Sequence, residues 1–79
     1  MRVRVLFFGV TAAVVGTHEA EMTIGEKDSP ADVVKRFANT HPDLRSHRLL
    51  FAVNERYAAE DSQLKDGDEL AIFTPVSGG

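Results

Sequence analysis

The sequence predicts an α+β fold in which a mixed sheet of four to five strands carries one main helix on one face. Apolar and polar residues alternate from Arg2 to Phe8 and again from Glu69 to Phe73, as they do in strands with one buried face. Between these segments, an apolar stripe with spacings of three and four follows a clear helix start at Ser29. A helix packed across one face of the sheet is the simplest arrangement of these elements.

Length and composition indicate one small domain. The chain has 79 residues, 27% of them charged, a formal net charge of −3 and no cysteine. Scattered lysines and arginines argue against nucleic-acid binding.

The absence of cysteine excludes disulfides, thiolate metal sites and cysteine nucleophiles, and it favours the cytoplasm for so small a domain. No membrane segment is expected, because the apolar run from Val5 to Val10 is far shorter than the roughly 18–20 residues of a span, and no signal peptide is expected either.

The amino-terminal third predicts two strands joined by a short helical segment. The alternation from Arg2 to Phe8 is strict at its start, and the polar face becomes apolar at Leu6 and Phe8. Val10 to Val15 is expected to form one or two helical turns that end at the following glycine. Glu19 to Ile24 alternates again and predicts a second strand, paired with the first across a long loop.

The clearest helix of the chain begins at Ser29. Ser29 suits the N-cap, Pro30 suits the first helical position, and Asp32 is an acidic residue in the first turn. We expect Asp32 to pair with Arg36 four residues on, and the helix to end before Pro42. The apolar stripe consists of Val33, Val34, Phe37 and Ala38.

The rest of the chain predicts three further strands separated by turns. Leu44 and Leu64 are expected to enter the core from connecting segments, and the last strand turns Leu70 and Ile72 inward. The first and last strands would lie parallel in the middle of the sheet, which is the β-grasp, or ubiquitin-like, roll. The expected order after the helix is a polar connection (43–48), a strand (49–53), a turn (54–56), a short strand (57–59), a tight turn (66–68) and the last strand.

The chain narrows to two glycines after its last strand. Pro75 has no backbone N–H and biases Thr74 toward extended backbone, so strand pairing should stop there. We therefore expect a folded domain from 1 to 73 and an extended, flexible tail from 74 to 79. Such a tail can reach roughly 20 Å, and the small residues Ser77, Gly78 and Gly79 would let it enter a narrow channel. An inert polar tail is the alternative.

Motifs for enzyme chemistry are absent from the sequence. There is no phosphate-binding loop and no metal-binding spacing. The acidic clusters at 60–61 and 66–69 are interpreted as turn and surface residues, because paired catalytic carboxylates need a walled pocket. The three histidines, expected to be solvated in loops, are His18, His41 and His47.

Apolar residues on the sheet face away from the helix are a better candidate site. If Leu6, Phe8 and Phe73 face away from the helix, the two central strands place them side by side, and Tyr57 can join them from the short strand. Exposed aromatic residues clustered on a small domain indicate a docking surface. In the alternative, Phe8 or Phe73 packs under a loop and completes the core.

Four stretches of the chain together form a pattern known from a protein family. They are Val3-Arg4-Val5-Leu6-Phe7-Phe8, Val53-Asn54, Leu64-Lys65-Asp66-Gly67-Asp68-Glu69-Leu70 and Phe73-Thr74-Pro75-Val76-Ser77-Gly78-Gly79. In order and spacing they resemble the molybdopterin synthase small subunits (MoaD) among the ubiquitin-like sulfur carriers (the MoaD/ThiS family). The resemblance covers nearly the whole chain, except that relatives tend to carry a charged short helix in place of Val10 to Val15.

The resemblance implies a sulfur carrier that is a non-catalytic subunit of a sulfurtransferase. A ubiquitin-activating-type adenylyltransferase would use ATP to adenylate the carboxylate of Gly79, and a sulfur donor protein would convert it to a thiocarboxylate. Inside the synthase large subunit, which provides the catalytic groups in a heterotetramer, the tail would give sulfur to cyclic pyranopterin monophosphate. No bound cofactor is implied. Besides Gly78 and Gly79, the expected contact residues are Leu6, Phe8, Tyr57, Phe73, Pro75, Val76 and Ser77.

The residues alone agree with this chemistry and leave other functions open. Without cysteine the terminal carboxyl is the natural place for sulfur, and a Cβ at Gly78 or Gly79 would misplace the reacting carbon in a close-fitting site. A thiamine-type sulfur carrier and a protein modifier joined through Gly79 share the same tail. The Pro-Val-Ser segment and the aromatic residues favour the pterin pathway. An interaction domain with an inert tail is a further alternative, and a stand-alone enzyme fits least.

Overall fold

A computed structural model describes residues 1–75 of the chain and confirms the α+β architecture, with a five-stranded mixed sheet and one main helix. The short segment after the first strand is helical, as predicted, and ends at Gly16 in the left-handed conformation (φ 86°). The elements are β1 (Arg2–Phe7), α1 (Val10–Val15), β2 (Glu19–Thr23), α2 (Pro30–Ala38), a 3₁₀ helix (Pro42–Ser46), β3 (Leu50–Val53), β4 (Arg56–Ala58) and β5 (Glu69–Phe73).

The sheet has the strand order β2-β1-β5-β3-β4. The neighbours β1 and β5 are parallel, with Arg4 opposite Glu69 and Phe7 opposite Ile72. The other three strand pairs are antiparallel. The prediction that the first and last strands lie parallel in the middle of the sheet is therefore confirmed, and β5 occupies its centre.

The core lies between the sheet and α2. The rings of Phe7 on β1 and Phe37 on α2 meet edge to face, with centroids 5.0 Å apart, a favourable aromatic geometry. Leu44 and Leu64 are 0% and 1% exposed, so both connecting segments contribute a core residue as predicted. The other buried apolar residues of the cluster are Val3, Val5, Ala12, Ile24, Val33, Val34, Phe51, Leu70 and Ile72.

Two local predictions were wrong. Asp32 does not pair with Arg36, because its Oδ2 accepts hydrogen bonds from the Ser29 backbone N–H at 2.8 Å and from the Ser29 hydroxyl at 3.0 Å. Arg36 instead donates to the Thr23 carbonyl at 2.7 Å, which ties α2 to the edge strand β2. The polar connection after α2 also contains a 3₁₀ helix, Pro42–Ser46, which holds its Leu44 in the core.

The turn between β3 and β4 requires unusual backbone geometry. Asn54 and Glu55 have positive φ values of 51° and 71°, and two successive left-handed residues form the tight turn that matches the twist of paired strands. The predicted turn therefore starts where expected, but Arg56 belongs to β4. In residues 1–75, no helix is long and apolar enough to cross a membrane.

Asp32 makes the stability of α2 sensitive to acid. The backbone N–H of Ser29, and then its hydroxyl, hold the pKa of Asp32 below its ordinary value of 3.8. A carboxyl whose pKa is lowered by folding stabilises the folded state above its unfolded-state pKa, and this contribution is lost as the pH falls through the folded-state pKa. We expect Asp32→Asn to lower the Tm at neutral pH, and the difference from wild type to shrink below pH 3.8.

Thermal unfolding followed by circular dichroism across this pH range checks the prediction. Glu26→Gln, which changes an exposed carboxyl in the preceding turn, is the matched control. A Tm difference between Asp32→Asn and wild type that stays constant into acid would contradict the prediction.

Candidate functional site

The outer face of the sheet, opposite α2, has a charged half. Arg2 lies 2.5 Å from Glu21 across the β1–β2 pair, and Arg4 bridges Glu19 at 2.7 Å and Glu69 at 3.4 Å. The hydrogen bond with Glu19, reinforced by its charge, raises the pKa of the Arg4 guanidinium. Because these side chains are largely exposed, each pair contributes little to stability. Their effect is to keep this half of the face polar.

The other half of the same face carries an apolar patch. A row of facing residues crosses four strands, from Leu6 through Ala71 and Ala52 to Tyr57. Phe73 faces Leu50 in the next row, and its ring centroid is 6.0 Å from that of Tyr57. We define the apolar patch as Leu6, Phe8, Leu50, Ala52, Tyr57, Ala71 and Phe73.

The patch exposes its two outermost aromatic residues to solvent. Tyr57 is 83% exposed and Phe8 is 51% exposed, so Phe8 does not pack under a loop to complete the core. Phe73 is half-buried beside Tyr57. Large exposed aromatic residues grouped on one surface are typical of binding sites. The structure therefore brings the four predicted patch residues onto one face, and their contact with a partner stays a prediction.

Three residues near this site were missed by sequence reasoning. Leu50 and Ala52 belong to the patch, but the apolar run that contains them gave no sign of which residues face outward. The register of β3 against β5 decides it. Thr11 is fully buried, and its hydroxyl lies 2.7 Å from the carbonyl oxygen of Ile72, at the end of β5. A single threonine in an apolar segment carries no signal of such a contact.

The tail begins next to the patch. β5 ends at Phe73, and of the following residues Thr74 is half-buried and Pro75 is exposed. The predicted tail residues Val76, Ser77, Gly78 and Gly79 lie outside the described residues. The domain boundary at residue 73 and the roles of these tail residues therefore stay predictions.

Metal chemistry finds no support in the described part of the chain. Across residues 1–75, no three histidine, aspartate or glutamate side chains are grouped closely enough to hold a metal ion. His18 and His47 are exposed and His41 is half-buried.

Comparison of the sequence with known proteins identifies a family and a full-length relative. A model described as the ThiS family matches residues 5–79. The molybdopterin synthase sulfur carrier subunit of Chlamydomonas reinhardtii is 35% identical over 83 aligned residues that cover 100% of both chains.

Two solved structures confirm the predicted β-grasp fold. A protein of Pyrococcus furiosus described as molybdopterin converting factor subunit 1 is 27% identical, with a TM-score of 0.84, over 96% of this chain and 99% of that one. SAMP1 of Haloferax volcanii is 26% identical, with a TM-score of 0.82, over 100% of both chains.

The burial of Leu64 and the exposure of Tyr57 predict a large and a small loss of stability, respectively, when each residue is replaced by alanine. Leu64→Ala should lower the free energy of unfolding by about 2–5 kcal/mol, because it leaves a cavity in the core. Tyr57→Ala should lower it by less than about 1 kcal/mol, because only a surface contact with Phe73 is lost. Urea unfolding of both variants measures the difference. A loss for Tyr57→Ala as large as that for Leu64→Ala would show that the patch belongs to the core.

Proposed function

Because the chain belongs to the ThiS family, we propose that it is a sulfur carrier and the small subunit of a molybdopterin synthase. One observation carries the proposal: the relative named as the molybdopterin synthase sulfur carrier subunit matches the chain over its full length. The family match also extends to Gly79, so it includes the double glycine. The carrier would be a non-catalytic subunit whose partner, the large subunit, provides the catalytic groups.

The proposed chemistry takes place at the carboxyl group of Gly79. This carboxylate attacks the α-phosphorus of ATP on an adenylyltransferase and displaces pyrophosphate, forming an acyl-adenylate. The outer sulfur of a persulfide on the donor protein then displaces AMP and forms an acyl disulfide. A second thiol, supplied by the donor or the adenylyltransferase, cleaves the S–S bond, which releases the thiocarboxylate and leaves a disulfide between the two thiols. The sequence supports this assignment because it contains no cysteine that could carry sulfur on a side chain. Since the activation uses ATP, we place the carrier in the cytoplasm.

Docking to the large subunit is assigned to the apolar patch together with the tail. The patch residue Phe73 is the last residue of β5, and Thr74 and Pro75 follow directly. A partner seated on the patch therefore lies beside the start of the tail, and the tail can enter its active site. Gly78 and Gly79 have no side chains, which allows a close-fitting site to surround the reacting carbon. Pro75, Val76 and Ser77 would line the entrance.

A protein modifier is the second candidate. It is favoured by the likeness to SAMP1, a small archaeal modifier protein. A modifier would form an amide bond between Gly79 and a lysine of another protein, through the same adenylate. A thiamine-type carrier would use the same thiocarboxylate in another pathway. Exchange of one oxygen for sulfur in the intact mass supports either carrier, whereas ladders of conjugates on other proteins support the modifier.

Deletion of Gly79 should abolish sulfur loading without unfolding the protein. The shortened chain keeps every described core residue, but its terminal carboxyl group belongs to Gly78 and lies one residue short of the reacting position. Intact-mass spectrometry after incubation with ATP, the adenylyltransferase and a sulfur donor should show oxygen-to-sulfur exchange in wild type and none in the deletion. Lys27→Ala, an exposed turn residue, serves as the control that should load normally. A sulfur-loaded deletion variant would refute the proposed role of Gly79.

The patch should determine affinity for the large subunit. Tyr57→Ala is expected to raise the Kd by about tenfold or more, as removal of an aromatic residue that becomes buried on binding does in other interfaces. Arg56→Ala changes the adjacent residue of β4 on the opposite face and should stay within about twofold of wild type. Isothermal titration with the large subunit measures both. Equal Kd values for the two variants would exclude Tyr57 from the interface.

A further inference from the structure

Thr11 places a hydroxyl inside an otherwise apolar core. Among residues 1–75 it is the one polar side chain that is buried, at 0% exposure. Its Oγ1 accepts a hydrogen bond from the Phe8 backbone N–H at 3.1 Å, and it lies 2.7 Å from the Ile72 carbonyl oxygen and 2.9 Å from that of Phe8. The side chain therefore joins the end of β1, the first turn of α1 and the end of β5.

The single hydroxyl proton is best assigned to Ile72. The Phe8 carbonyl already accepts a hydrogen bond from the Thr11 backbone N–H at 3.2 Å, whereas the direct bond from Phe8 N–H to the Ile72 carbonyl is long, at 3.3 Å. The hydroxyl thus links the Phe8 N–H to the Ile72 carbonyl and reinforces the last bond between the parallel strands. Buried hydrogen bonds of this kind are costly to leave unmade.

Both strand ends held by Thr11 lead directly into the docking face. Phe8 is itself an exposed residue of the apolar patch. Ile72 precedes Phe73, whose ring packs on Tyr57, and the tail starts one residue later. A change in the distance between Phe8 and Ile72 therefore moves the two sides of the patch relative to each other.

We infer that Thr11 is a positioning residue, whose buried hydroxyl holds Phe8 and the end of β5 in the spacing that the large subunit recognises. It makes no contact with the partner and acts through the residues that do. The inference rests on the proposed function, because the partner it invokes is the large subunit of molybdopterin synthase.

The test compares Thr11→Val, which keeps the shape and removes the hydroxyl, with Thr11→Ser, which keeps the hydroxyl. Isothermal titration with the large subunit should give a Kd for Thr11→Val about three- to tenfold above wild type, the loss expected for one hydrogen bond. Thr11→Ser should restore the Kd to within about twofold of wild type. Amide hydrogen exchange at Phe8 in the free carrier should accelerate in Thr11→Val only.

Ile24→Val separates positioning from a general loss of stability. Ile24 is buried and its backbone pairs with Met1, at the other end of β1 from Phe8. Ile24→Val should lower the Tm by several degrees, about as much as Thr11→Val does. The Kd of Ile24→Val for the large subunit should stay at the wild-type value.

Three results would overturn the inference. One is an unchanged Kd for Thr11→Val while the wild-type chain binds, which leaves the proposed function standing. A second is an equal rise in Kd for Ile24→Val, which would assign the effect to stability. The third is failure of the wild-type chain to bind the large subunit, which would overturn the proposed function as well.

Discussion

The parallel pairing of β1 with β5 is the contact on which the rest of the structure depends. It joins the two ends of the sequence at the middle of the sheet, with Val5 opposite Leu70 and Phe7 opposite Ile72 on the buried side. Side chains alternate along a strand, so a slip of one residue would move these apolar residues to the solvent face. Burial of the core therefore holds the register, and the register also places Leu6 beside Ala71 on the outer face.

The same register divides the outer face into two halves with different properties. Toward the start of β1, Arg4 lies between Glu19 and Glu69, and the face is polar. Toward the end of β5, the side chains are apolar and aromatic, and Tyr57 extends the surface onto the edge strand β4. Since parallel strands run in the same direction, the apolar half and the start of the tail come together at one end of the sheet. A sulfur carrier that docks through its body and reacts through its terminus requires this proximity.

The composition indicates that the folded domain serves for binding and the C-terminal carboxyl group for chemistry. The described residues form a small core without a metal-binding group, and the sequence contains no cysteine. Under the proposed function, chemistry at the terminal carboxyl needs only a stable body and a slender chain end, because the adenylyltransferase, the sulfur donor and the large subunit would provide the activation, the sulfur and the catalytic groups. The family match over residues 5–79 agrees with the resemblance inferred from the sequence.

The sequence by itself determined the five strands and two α-helices of this protein, and it predicted the chemistry of its terminus. Strand alternation, the helix start at Ser29 and the double glycine are local patterns, and local patterns reflect backbone preferences that act over a few residues. Tertiary structure alone decided that Leu50 and Ala52 join the patch, that Arg36 binds β2 rather than Asp32, and that Thr11 reaches Ile72. These contacts depend on strand register and on distances between segments far apart in the chain, which no local pattern encodes.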